Sequence, residues 1–273
     1  MLTGIGSEWL PGSVASSDAE LLQSAPVWVR WLNARLLSTL AGMGEMIEFP
    51  SNGTTGQGYL ATPSKPMQGG STPPLLVIQE WWGLNNHIKS VADRFADKGF
   101  LVLAPDVYRG VVTTEPDEAA KTLMALDMAR VAKDLSGAVT ELQQRSGREK
   151  VGVTGFCMGG GLALVLACQR PDAIKACVPF YGVIPWPDAQ PDYSKMTAAV
   201  QGHYAEKDGS ASPEQANALQ TTLKGLGREV EFYNYQGADH AFFNDTRPEV
   251  YDAHHADHAF FRAYSFLRQQ LRG

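Results

Sequence analysis

The chemistry in this chain is densest at Gly155-Phe156-Cys157-Met158-Gly159-Gly160, a cysteine set among glycines. The apolar run Val151-Gly152-Val153-Thr154 precedes it, and Gly161-Leu162-Ala163-Leu164-Val165-Leu166-Ala167 follows. A short strand, a turn of small residues and a helix in that order describe a nucleophile elbow, with cysteine where serine usually stands. Such a turn is strained and crowded, so neighbouring backbone approaches only where side chains are missing. The helix beginning there aims unpartnered N–H groups and the positive end of its dipole at the sulfur. Both effects favour the reactive thiolate over the thiol.

A thiolate nucleophile needs a base to carry its proton and a carboxylate to orient that base. Where an elbow is present, an acid and then a histidine follow the nucleophile, each in a loop at the carboxyl end of a strand. A strand expected to end at His203 leads into Tyr204-Ala205-Glu206-Lys207-Asp208-Gly209. Asp208, at the far end of that loop, is preferred to Glu206. A strand ending at Tyr235 leads into Gln236-Gly237-Ala238-Asp239-His240, with Gly237 permitting the turn. Cys157, Asp208 and His240 thus stand in the required order. The oxyanion of acyl transfer takes one N–H from the residue after the nucleophile, Met158, and one from the loop after an earlier strand. That loop is Glu80-Trp81-Trp82-Gly83, which assigns the second donor to Trp81. Cys168 and Cys177 read as small core residues. His87, His203, His254, His255 and His258 read as helix-surface or strand-end residues. The spacing of His254 and His258 suggests a metal, but no acidic residue stands as in HExxH, so no metal is assigned.

The elements that must hold these residues alternate. Glu45–Phe49 and Gly58–Thr62 read as a hairpin around Ser51-Asn52-Gly53, and Leu75–Gln79 as a strand buried on both faces. A helix through Ile88, Val91 and Phe95 ends at Gly99, and Phe100–Ala104 is the next strand. One long helix is expected through Ala119 to Leu142, then the elbow strand and its helix. Strands at 176–181, 198–203 and 230–235, a helix over 213–226 and an aromatic-rich C-terminal helix complete the pattern. The expected fold class is α/β, a mostly parallel central sheet with helices on both faces, as in the α/β-hydrolase fold. Residues 1–42 read as a helical extension before this 43–273 domain. The extension's apolar stripe (Leu21, Trp28, Leu32, Leu36) must cover something. The domain surface is the simpler reading; a second copy of the chain, forming a homo-oligomer, is the other.

The totals exclude several classes. The net charge is −6 with no dense Lys/Arg cluster, which argues against nucleic acid or an anionic membrane as partner. The N-terminus lacks the pattern of a secretory signal, and no apolar run reaches the roughly 18 residues of a membrane span. Three cysteines without a pairing pattern suit a reducing compartment, so a soluble cytoplasmic protein is expected.

From about residue 43 onward the chain resembles the dienelactone hydrolase family. The resemblance rests on Gln79-Glu80-Trp81-Trp82-Gly83, Ala104-Pro105-Asp106-Val107-Tyr108, the Cys157 elbow, Phe180-Tyr181-Gly182, Asp208 and His240-Ala241-Phe242. It implies a Cys157–Asp208–His240 triad and hydrolysis of a small ester or lactone, and nothing in the chain points to a metal, flavin or nucleotide cofactor. It also implies that Glu80 is a fourth active-site residue, holding the resting thiol and helping to deprotonate it when substrate binds. Members that cleave dienelactones grip the substrate carboxylate with arginine shortly after the histidine, whereas this chain has Asn244 there. An amide cannot replace that charged, bidentate grip. Neutral substrates are therefore expected, with Trp81, Trp82, Phe242 and Phe243 suited to an apolar acyl group and Arg109, Lys121 or Arg247 as other cations. A broad carboxylesterase or thioesterase, or a silent ligand-binding relative, are the competing readings.

Overall fold

The computed structural model describes residues 44–51, 53–67, 72–184 and 190–272; the helix expected within 1–42 lies outside them. The hairpin forms as β1 (Glu45–Ser51) and β2 (Thr54–Ala61), antiparallel. Then come β3 (Pro74–Ile78), α1 (Asn86–Asp97) and β4 (Leu101–Pro105). Next are α2 (Pro116–Met124), α3 (Met128–Ser146), β5 (Val151–Phe156) and α4 (Met158–Gln169). The remainder is β6 (Ile174–Phe180), β7 (Ala199–Ala205), α5 (Pro213–Gly225), β8 (Val230–Tyr235) and α6 (Ala253–Gln270).

The strands form one sheet in the order β1-β2-β4-β3-β5-β6-β7-β8. From β4 to β8 every neighbouring pair is parallel, so the carboxyl ends of β3, β5, β6, β7 and β8 share one edge. This is the α/β-hydrolase architecture expected from the alternation. Period-two burial divides the core. Leu76 and Ile78 of β3 pack with α3 and α4 on one face, while Leu75 and Val77 pack with α1 and α6 on the other. Among the described residues no helix is long and apolar enough to cross a membrane.

Two expectations change. The single helix over 119–142 is two helices, because Asp127 caps the second: its carboxylate accepts the N–H groups of Ala129 and Arg130. An Asp at this position satisfies orphan amides better as a cap than in a helix interior. The strand expected to stop at His203 runs on to Ala205, with Tyr204 buried beneath the sheet edge.

Candidate active site

The sheet edge carries every residue the elbow pattern points to. β5 ends at Phe156, and Cys157 turns the chain into α4 with φ 54° and ψ −119°, a left-handed conformation costly for any residue but glycine. Its N–H is held by the Phe180 carbonyl at 3.0 Å. The turn closes only because of its glycines. A Cβ on Gly155 would lie 2.0 Å from the Gly159 carbonyl oxygen, and one on Gly159 would lie 2.4 Å from that of Ile78. Tyr181 (φ 36°) and Ala241 (φ 66°) are also left-handed, so strain gathers at this edge.

Asp208 follows β7 and is buried. One carboxylate oxygen accepts the N–H groups of Ser210 and Ala211 at 2.7 and 2.8 Å; the other meets His240 Nδ1 at 2.7 Å. Burial acts to raise this carboxyl, but the bonds to His240 and the two amides prevail and hold it below the usual range. Glu206, the alternative acid, is exposed and accepts the Gly237 N–H instead. His240 stands in the turn after β8, its ring against Tyr181 at 5.1 Å. Burial acts to lower the imidazole. The bond to Asp208, then the bond to Cys157 and the charges of both, outweigh burial and lift it to about 10. Burial pushes the Cys168 thiol up to about 11 and Cys177 further still, which leaves both inert.

Behind this row lies a second layer. Glu80 is buried, with Oε1 accepting the Tyr181 hydroxyl at 3.1 Å and Oε2 accepting Asn244 Nδ2 at 2.6 Å. Asn244 Oδ1 in turn accepts the N–H and hydroxyl of Thr246 at 3.0 and 2.7 Å, which aims its amide nitrogen at Glu80. Burial, then the charge of Glu80, keeps Tyr181 protonated and so a donor. Both oxygens of Glu80 are thereby engaged by Tyr181 and Asn244.

Cys157, His240, Trp81 and Met158 line a cavity of about 750 Å³. Asn244, Phe242 and Trp82 do not line it. Asn244 is buried under Glu80, Phe242 packs between Tyr181 and Tyr235, and Trp82 packs edge-on against Trp81. The chain after His240 runs into the core, where Ala241, Phe242, Phe243 and Asn244 are all buried in succession. Among the other cations considered, Arg109 pairs with Asp134 and Lys121 lines a separate cleft. Arg247 lines the cavity, its guanidinium 5.5 Å from the Trp82 ring centre and paired with Glu249. The cavity wall supplied by α2 and α3 had no signal in the catalytic motifs, since these helices carry none.

Known proteins match this arrangement along most of the chain. The profile of the Dienelactone hydrolase family matches residues 57–271. "Protein usf" of Aquifex pyrophilus is 37% identical over 77% of this chain and 91% of its own length. The "Putative carboxymethylenebutenolidase" of Aquifex aeolicus is 33% identical over 84% of this chain and 100% of its own. Among solved structures, a "Putative Dienelactone Hydrolase" from Klebsiella pneumoniae superposes with a TM-score of 0.73 at 27% identity, covering 82% of this chain and 98% of that one. The elbow, the sheet order and these alignments agree: this chain belongs to the dienelactone hydrolase family.

Proposed function

We propose that this protein hydrolyses carboxylic esters or lactones through a covalent acyl-enzyme on Cys157. The observation that carries the reading is the half-buried imidazole of His240, bonded at Nδ1 to Asp208 and lining one cavity with Cys157, whose thiol helps to raise it. An imidazole lifted in this way is a base suited to taking the proton of the neighbouring thiol as it attacks. The thiolate attacks the substrate carbonyl, and the oxyanion is met by the N–H groups of Met158 and Trp81. His240 gives its proton to the departing alkoxide oxygen, which in a lactone stays tethered to the acyl group. Water then enters, His240 takes one of its protons, and the resulting hydroxide attacks the thioester. The tetrahedral intermediate expels the thiolate, and the acid leaves as carboxylate with its proton passing to solvent. Asp208 remains ionised throughout and holds the ring in place.

The test is turnover of a chromogenic acetate ester with and without a thiol reagent. Alkylation should abolish it, and Cys157→Ala should abolish it equally. Cys157→Ser, with a higher-pKa hydroxyl, should keep a small residue of activity. Wild-type turnover in Cys157→Ala would overturn the reading.

A further inference from the structure

The cavity beside Cys157 is much longer than a small lactone requires. Met158, Gly161, Leu162, Val165, Leu166 and Gln169 line it, which is a single stripe along one face of α4. At 1.5 Å per residue that stripe runs about 16 Å from the nucleophile. Met128, Val131, Ala132 and Leu135 of α3 form the facing stripe. Apart from the exposed Gln169 at the far end of the stripe, the polar groups Cys157, His240, Ser210 and Arg247 belong to the end where bonds would be made and broken. At the rim Met124 is 79% exposed and Met128 50% exposed, adaptable apolar side chains in contact with water. The α4 sequence carries no charge from Met158 to Gln169; on this face Leu162 and Leu166 are buried in the core, while the partly open Met158 and Val165 give the cavity its apolar wall. A cavity with walls of this kind takes apolar ligands.

We infer that the preferred substrates are carboxylic esters bearing an extended apolar chain, which lies along α4 with the carbonyl at Cys157. This rests on the ester-hydrolase reading above and deepens it. A compact ring would occupy only the polar end and leave the α3–α4 space unused. An unbranched chain fills that space and removes apolar surface from water along its length.

The experiment measures kcat/KM along two series: nitrophenyl esters from acetate to octanoate, and acetates of alcohols from methyl to octyl. Each methylene fully taken out of water is worth about fourfold. Incomplete burial leaves on the order of a hundredfold across a series. A rise in one series supports the proposal and shows which side of the carbonyl enters the cavity; a flat response in both overturns it. Val165→Trp from α4 and Ala132→Phe from α3 each fill the channel from opposite walls. Each should bring the ratio of the longest to the shortest substrate, in whichever series rises, toward one. Because the readout is a ratio, a variant that merely folds poorly lowers both substrates and does not imitate this result. An unchanged ratio in both variants would also overturn the cavity assignment. Cys157→Ala, assayed beside them, separates the two claims. If acetate turnover depends on Cys157 but chain length has no effect, the chain-binding inference fails and the hydrolase reading stands.

Discussion

His240 is held between a buried carboxylate and a thiol, so its two partners act through one ring. His240→Ala should therefore cost at least as much kcat/KM as Asp208→Asn, and the double variant should lose little more than His240→Ala alone. Losses that multiply would show that Asp208 works independently of the ring. Asn244 calls for a different expectation. It donates a 2.6 Å bond to a buried carboxylate, so Asn244→Ala leaves Glu80 short of a donor. The expected cost is about 1–3 kcal/mol, read from the denaturant midpoint. If stability were unchanged, Glu80 would have to find a replacement donor.

At the scale of elements, the site depends on how closely α4 can approach the sheet. Gly155 and Gly159 are the contact points, where an added methyl would meet carbonyl oxygens of Gly159 and Ile78 at 2.0 and 2.4 Å. Carbonyls of a strand and a helix terminus cannot swing aside as a flexible side chain can. Gly155→Ala and Gly159→Ala should each displace the start of α4, costing about 3 kcal/mol in stability. Turnover should fall further than stability alone explains, because the amide of Met158 moves with the helix. A variant of normal stability and normal kcat would contradict this close approach.

For the whole molecule, the pH dependence of stability should carry a signature of His203. The ring is fully buried, stacked on Phe180 at 4.5 Å, with Nδ1 2.9 Å from the Tyr235 hydroxyl, which itself accepts a bond from Arg262. Burial, then the charge of Arg262, lowers its pKa to about 3. The unfolded imidazole titrates near 6.5, so between about 6.5 and 3 the unfolded chain binds a proton that the folded chain does not. Stability is full above the unfolded pKa and falls as pH drops through that window. From pH 7 to pH 5 the loss from this residue should be about 2 kcal/mol. His203→Phe should flatten that part of the curve in urea titrations at the two pH values. An unaltered slope would mean that His203 binds its proton equally in the folded and unfolded chain.

Sequence alone determined the parts with local causes. The glycines around Cys157 are required by a turn whose crowding is local, and strand–helix alternation prescribes a parallel sheet with its carboxyl ends together. Chain order then sufficed to pick Asp208 and His240, whose side chains do meet. Tertiary structure alone decided which neighbours of these residues face the cavity. Asn244 and Phe242 stand within four positions of His240, yet one is turned under Glu80 and the other into the core. The chain-length cavity depends on the gap between α3 and α4, helices distant from each other's motifs in sequence. Periodicity shows that a helix face is apolar; whether that face packs against a neighbour or lines empty space depends on where the other helix comes to rest.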